Sequence, residues 1–207
     1  ASHSESVGQS FEVTDPSLIT AEPLYFELGG LVQVDNLRTI LSAVRLLREQ
    51  GVAIPEEALR KGFREVTRMT GLRGRWEILS EHPTLICDTA HNEDGIRYVV
   101  RQLVALGRPL HLIFGMVSDK DVRGVLSLLP QSAKYYFTAA RVPRALAPEE
   151  LRELAQPYVL RGEAYPSIRE ALAAAQSAAQ PETDVIFVGG SNFLIADLLA
   201  IQSTKQR

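Results

Sequence analysis

One cysteine in 207 residues excludes an internal disulfide framework and fits a reducing compartment, here the cytoplasm. That cysteine, Cys87, lies inside an apolar run and reads as a small buried residue. Charge of one sign is also lacking. Lys and Arg number 22 against 25 Asp and Glu, for a net charge of −3. The basic stripe of a general nucleic-acid binder is therefore absent. No apolar run approaches the ~20 residues of a membrane span. The start, Ala1-Ser2-His3-Ser4-Glu5-Ser6, has neither a methionine nor a signal-peptide pattern, and reads as cut from a longer chain. No G-x-x-x-x-G-K-[ST] occurs, so no Walker loop cradles a triphosphate. No G-x-G-x-x-G follows a strand, no Cys/His spacing suits zinc, and no segment repeats. His3, His82 and His111 stand at an end, before a proline and in a strand, without convincing partners. Only His91 is notable.

What is present centres on Leu85-Ile86-Cys87-Asp88-Thr89-Ala90-His91-Asn92-Glu93-Asp94-Gly95. A short apolar run ends abruptly in an acid, a histidine and an asparagine. Ile96, Val99, Val100, Leu103 and Val104 then follow helical spacing. A buried parallel strand feeding a helix fits this pattern. The polar cluster falls at the strand's carboxyl end, where open α/β sheets place ligands. Asp88 can accept from sugar hydroxyls, His91 can serve a phosphate or carboxylate, and Asn92 can cap the helix. Asp, His and Asn before a helix are equally common as plain caps and turn residues.

Residues 1–10 read as a disordered or extended lead-in. Phe11-Glu12-Val13 and Pro23 to Leu28 read as short strands. Leu37, Ile40, Leu41, Val44 and Leu47 mark a helix stopped by Gly51, and a second helix opens at Pro55 and packs through Leu59, Phe63 and Val66. Thr67 to Gly74 shows no periodicity and reads as a linker. Beyond it, strands are predicted at 75–80, 84–88, 109–114, 134–138 and 184–189, with a weaker one near 158–164. Helices are predicted at 93–106, 121–129, 148–156, 167–179 and 192–203. This alternation implies right-handed βαβ units and a mostly parallel sheet. Pro148 and the pair Ser167 and Glu170 mark helix starts. Two domains follow from this reading, residues 1–67 and 75–207. The first reads as the tail of something larger.

Other strand ends carry polar residues in the same way. Gly115 to Asp121 brings Ser118, Asp119 and Lys120; Thr138 to Pro143 leads to Arg144 and Ala145; Gly189-Gly190-Ser191-Asn192 places Ser191 as a helix cap. Gly71-Leu72-Arg73-Gly74-Arg75 adds two arginines, whose forked cations suit phosphate oxygens. Each cluster alone has an ordinary capping or solvated reading. Four on one sheet edge favour a binding crevice.

Asp88-Thr89-Ala90-His91-Asn92 with Gly95 resembles the D-x-A-H-N-P-x-G motif of the Mur ligase superfamily. Within it the chain is most similar to folylpolyglutamate synthase/dihydrofolate synthase. Further matches occur in order: Gly30-Leu31-Val32-Gln33-Val34-Asp35-Asn36 resembles G-x-H-Q-x-x-N, Gly74-Arg75 a G-R, Asp119-Lys120-Asp121 a D-K-D, and Gly190-Ser191 a G-S. Glu93 stands where the family usually has proline, and Val32 where it often has histidine. The resemblance implies an α/β fold with a mostly parallel Rossmann-like sheet flanked by helices over 75–207, the C-terminal glutamate ligase domain. Residues 1–67 would then be the end of the central α/β ATPase domain.

The resemblance also implies a reaction. ATP phosphorylates the γ-carboxyl of a folate, or a dihydropteroate carboxyl, and the amine of L-glutamate attacks the acyl phosphate. Asn36 with Gln33 would approach adenine, Asp88 the ribose, and Arg75 the terminal phosphate. His91 and Ser191 would face glutamate or the reacting phosphate, with Lys120 beside the substrate. ATP and Mg2+ are the implied cofactors, the metal ligands falling outside these residues, and the complete enzyme would be a monomer. These 207 residues alone would be inactive. The alternatives are the C-terminal domain of a peptidoglycan Mur ligase and a non-catalytic nucleotide-binding or scaffold domain.

Overall fold

The computed structural model describes residues 8–20 and 22–205. His3 and most of the expected lead-in lie outside them. The chain divides in sequence into two compact units, the boundary falling between Glu77 and Ile78.

In the first unit a short antiparallel pair, β1 (Gln9–Phe11) and β2 (Leu24–Phe26), accompanies helices α1 (Gln33–Glu49), α2 (Glu56–Arg64) and α3 (Val66–Thr70). Its core gathers Leu18, Ile19, Leu24, Phe26, Leu37, Leu41, Val44, Leu59 and Phe63. Phe26 and Phe63 meet edge to face, ring centroids 5.0 Å apart, a favoured aromatic arrangement. Two expectations need correcting. The first strand lies at Gln9–Phe11 rather than 11–13, so part of the lead-in is paired backbone. The stretch from Thr67, expected to be structureless, opens inside α3; five residues are too few to display a helical period, and Gly71 ends the turn at φ 71°. Ile40 and Leu47 share the helical period of α1 yet are 40% exposed each. The packed stripe is Leu37, Leu41 and Val44, with Gln33.

The second unit is a six-stranded sheet, ordered β3-β4-β8-β5-β6-β7. The strands are β3 (Glu77–Glu81), β4 (Thr84–Cys87), β5 (Leu110–Phe114), β6 (Lys134–Phe137), β7 (Gly162–Ala164) and β8 (Val185–Gly189). β4 with β8, β8 with β5, β5 with β6 and β6 with β7 are all parallel. Only His82 and Pro83 join β3 to β4. A link of two residues can return only an antiparallel neighbour, so β3 is the one reversed edge. The mostly parallel α/β sheet expected from the alternation is therefore present. Every residue of β5 and β8 is buried, which is why β8 reads as an unbroken apolar run and β5 as one interrupted only by His111, rather than as alternating strands.

Helices α4 (Glu93–Ala105), α5 (Val122–Leu126), α6 (Pro148–Ala155), α7 (Ile168–Ala178) and α8 (Asn192–Lys205) link or follow the strands. α5 is shorter than the expected 121–129: Asp121 is its cap, its Oδ1 accepting the Gly124 N–H at 2.9 Å, and the helix ends at Leu126, with a turn and a bend over 127–129. On one sheet face Cys87, Ile113, Ile186 and Val188 pack in a single cluster with Ala171, Leu172 and Ala175 of α7 and Leu194 and Leu198 of α8. The alanines let α7 lie close to the strands without losing helix propensity. Cys87 is fully buried, as its place in an apolar run suggests.

His111, which has no visible partner in the sequence, has two in the fold. One ring nitrogen faces the Tyr136 hydroxyl at 2.9 Å and the other the Asp184 carboxylate at 3.1 Å. Asp184 also accepts the Gln180 N–H at 3.0 Å and the Thr183 hydroxyl at 2.8 Å. His111 and Asp184 sit at the amino-terminal ends of β5 and β8, the edge of the sheet opposite to the polar clusters. His82 pairs with Glu182 at 3.3 Å on the surface.

The end of β8 is where backbone geometry demands glycine. Gly190 has φ 95°, and a Cβ there would lie 2.7 Å from the Gly115 carbonyl oxygen. Gly190→Ala is expected to cost about 1–3 kcal/mol, combining left-handed strain with the contact. Urea unfolding of the variant measures this, and an unchanged midpoint would refute the steric account.

Candidate active site

The carboxyl edge of the six-stranded sheet brings together the ends of β4, β5, β6 and β8. After β4, Asp88 turns the chain. Its N–H continues the ladder to the Val188 carbonyl at 3.1 Å, while its Oδ1 accepts the Ala90 N–H at 2.8 Å. This two-residue loop closed by a side chain is an Asx turn. Asp88 is only 7% exposed, so its carboxylate stands within the edge rather than in bulk water.

His91 follows from that turn. Its Nδ1 lies 3.0 Å from the Thr89 carbonyl oxygen. A carbonyl can only accept, so Nδ1 carries the proton. Nε2 of the neutral ring is left as an acceptor, and becomes a donor when the ring is charged. Asn92 then caps α4, its Oδ1 accepting the Gly95 N–H at 3.0 Å. Gly95 fits closely here: a Cβ would meet both the Ala90 Cβ and the Asn92 Oδ1 at 3.1 Å, so both neighbours would have to yield by a few tenths of an ångström. The Asp-to-Gly motif is thus one continuous device that reverses the chain, orients a histidine and starts a helix.

A groove of about 350 Å³ opens beside it, lined by His91, Asn92, Glu93, Asp94, Lys120, Asp121 and Val125. Two sequence-predicted residues, His91 and Lys120, therefore face one cavity, with Lys120 exposed. Glu93 forms part of its wall and pairs with Arg97 at 3.2 Å. Gly124 makes room for it, since a Cβ at that position would lie 2.4 Å from Glu93 Oε1 and 2.8 Å from Asp121 Oδ2.

Ser191 belongs to the same edge but not to the lining of that groove. It is 3% exposed, and its Oγ accepts the Phe193 N–H at 3.2 Å. The capping role expected of it is present. The hydroxyl proton remains available as a donor.

The other predicted residues lie in the first unit. Gln33 is buried at the start of α1, and its Oε1 accepts from Asn36 Nδ2 at 3.0 Å. Arg75 is half-buried between two structured neighbours. Gly74, at φ 73°, donates its N–H to Glu77 Oε2 at 2.8 Å, and Trp76 is held at φ 47°. A bulky residue at positive φ is a strained outlier that its surroundings must hold. Arg73 is bound to the Glu77 carboxylate, with Nε to Oε1 at 2.8 Å. Arg73 is thus a structural tie. Sequence reading passed over Glu77, although an acid three residues after a glycine and four after an arginine was a usable signal.

Among the described residues no group of three or more His, Cys, Asp or Glu could hold a metal ion. No helix there is long and apolar enough to cross a membrane.

The chain is similar to several known proteins. The dihydrofolate synthase/folylpolyglutamate synthase of Escherichia coli K12 is 33% identical over 180 residues, 85% of this chain and 40% of that protein. A probable bifunctional folylpolyglutamate synthase/dihydropteroate synthase of Haloferax volcanii is 31% identical over 82% of this chain and 20% of its own length. Among solved structures, Mycobacterium tuberculosis folylpolyglutamate synthase complexed with ADP superposes with a TM-score of 0.72 at 27% identity, covering 90% of this chain and 42% of that one. The E. coli FolC complex with DHPP and ADP gives 0.68 at 29% identity, over 81% and 39%. A bifunctional folylpolyglutamate synthase/dihydrofolate synthase with Mn, AMPPNP and L-glutamate bound gives 0.66 at 28%, over 79% and 38%. The chain thus spans about 40% of the E. coli relative's length. Residues 74–192 match the family described as Mur ligase, glutamate ligase domain, and the chain belongs to that family.

Proposed function

We propose that this chain is the C-terminal portion of an ATP-dependent ligase that adds L-glutamate to the γ-carboxyl of folates through an acyl phosphate. Residues 75–207 are its glutamate ligase domain, and residues 1–67 end its central ATPase domain. The observation that carries this reading is the carboxyl edge of the sheet. There Asp88, His91, Lys120 and Ser191 converge from three strand ends, with His91 and Lys120 on one groove. A scaffold needs no such edge. The folate names of the relatives favour a folate over a peptidoglycan substrate. The exposed Ile40, Leu46 and Leu47 of α1 support a first unit that belongs to a larger domain, since a helix apolar beyond its packed stripe calls for more protein against it.

In this reading Gln33 and Asn36 approach adenine and Asp88 the ribose hydroxyls. Arg75 follows the charge that develops on the transferred phosphoryl group, where a forked cation serves best. His91, its tautomer set by Thr89, offers Nε2 to glutamate or to the forming phosphate. Lys120 and Ser191 supply a cation and an O–H to the glutamate carboxylates, which must be desolvated to react. Mg2+, which shields phosphate charge in such transfers, finds no cluster of ligands among the described residues. The ligase acts in the cytoplasm as a monomer.

The test is ATP-dependent incorporation of labelled glutamate into a folate. The ligase containing this chain is expected to turn over. The 207-residue chain alone is expected to match a denatured control, because no Walker loop occurs in it. Turnover by the chain alone would place the active site elsewhere, and a complete protein that ignores folates would refute the substrate.

A further inference from the structure

Arg144, on the loop after β6, holds together two other loops of the carboxyl edge. Its carbonyl accepts the Ser118 N–H at 2.9 Å and the Ser118 hydroxyl at 3.3 Å. The neighbouring Leu146 N–H donates to the Met116 carbonyl at 2.9 Å. The β6 loop is therefore zipped to the stem of the β5 loop by backbone. The tip of the β5 loop, Asp119 and Lys120, lies beyond that zipper. There the side chain takes over: Arg144 Nη1 donates to Asp119 Oδ2 at 2.8 Å. The same guanidinium lies 4.8 Å from the centroid of the Phe193 ring, two residues after Ser191 in the first turn of α8. One planar cation thus spans from the residue preceding Lys120 to the turn that begins at Ser191. A guanidinium can pair with a carboxylate in its plane while stacking on a ring with its face, which an ammonium cannot do.

We propose that Arg144 is a positioning residue for the amino-acid substrate: by tying the Asp119 tip to Phe193 it sets where Lys120 stands relative to Ser191. This rests on the ligase reading, in which Lys120 and Ser191 meet the incoming glutamate. Both are donors directed at carboxylates, and two carboxylates a fixed distance apart are recognised only if their donors are held at a matching distance. Asp119 and Arg144 are each about half exposed, so replacing them leaves the core intact. Arg144 has one alternative role, direct contact with the substrate anion, and the two roles predict opposite behaviour for Asp119.

In the complete ligase, Arg144→Ala is expected to raise the KM for glutamate roughly tenfold, from the combined loss of an exposed ion pair and a cation–π contact. The KM for ATP should stay within about twofold, because the tie does not involve the nucleotide residues. Asp119→Asn and Phe193→Leu, each removing one half of the tie, are expected to raise the glutamate KM about threefold. The double variant Asp119→Asn/Arg144→Ala should match Arg144→Ala alone, since both remove the same contact. Direct contact instead predicts that Asp119→Asn, which frees the guanidinium, leaves the glutamate KM unchanged or lowers it. That outcome overturns the positioning role, as does a fall in Tm with the glutamate KM unmoved in Arg144→Ala. A wild-type protein that adds no glutamate overturns the ligase reading and this inference with it.

Discussion

Asp184→Ala is expected to destabilise the second unit by about 3–5 kcal/mol, the range for removing one partner of a buried charged network. Asp184 is 6% exposed and accepts from Gln180, Thr183 and His111. Without it, His111, itself 7% exposed, keeps only Tyr136 in the network, and a backbone N–H loses its acceptor. Urea unfolding followed by circular dichroism reads the loss directly. A cost below about 1 kcal/mol, the level of an exposed pair, would show that the network is worth no more than a surface contact. Asp184→Asn, which keeps one acceptor and the shape, should recover part of the difference.

The same group gives a pH dependence with a definite sign. Hydrogen bonds, first that from the Gln180 backbone, hold the Asp184 carboxyl below its ordinary value. A depressed acid binds its proton less readily folded than unfolded, so its contribution is complete above the unfolded value of roughly 4. The contribution drains away as pH falls below that value and through the folded one. Burial pushes the Tyr136 hydroxyl up to about 12, so the tyrosine end of the network keeps its proton through neutral pH. The stability difference between wild type and Asp184→Ala should therefore be constant near neutrality and shrink below about pH 4. A difference that grew on acidification would contradict the assignment.

Those residues also mark what could not be read from sequence. His111 is separated from Tyr136 by 25 positions and from Asp184 by 73. Nothing local announces such a contact, because it exists only once β5, β6 and β8 are adjacent. Arg144 and Asp119, also 25 apart, were visible only as separate polar strand ends. What was legible was periodic or punctuated. β8 is a continuous apolar run and β5 is one broken only by His111, Asn92 and Ser167 are caps with their N–H donors three residues on, and Pro148 opens α6. Short or strained elements escaped, as α3 did. So did the choice among apolar positions on α1, since Ile40 and Leu41 both fit a helical stripe and only packing buries one of them. At the candidate site the motif from Asp88 to Gly95 was legible as chemistry, but the Asx turn and the proton on His91 Nδ1 depend on where Thr89 and Ala90 place their backbone groups.

Asp88→Ala, in the complete ligase, is expected to raise the ATP requirement ten- to a hundredfold, the equivalent of about 1.5–3 kcal/mol for a charge-assisted hydrogen bond. The reasoning turns on two roles that one carboxylate holds at once. Its Oδ1 closes the turn onto the Ala90 N–H at 2.8 Å, and in the proposed reading the charged group also meets the ribose hydroxyls. Alanine removes both roles, whereas Asp88→Asn can keep an oxygen for Ala90 while giving up the charge. The two variants therefore separate the roles. If the ribose is the target, Asn should still raise the KM for ATP, by less than Ala does, while its Tm stays near wild type. If Asp88 only shapes the turn, Asn should behave as wild type in every assay. Ala should then lower Tm and disturb glutamate as much as ATP, because His91 and Asn92 are placed by the same turn. Saturation curves for ATP and glutamate, measured beside thermal unfolding of both variants, decide between them. An ATP requirement unmoved in Asp88→Ala would remove the ribose assignment altogether.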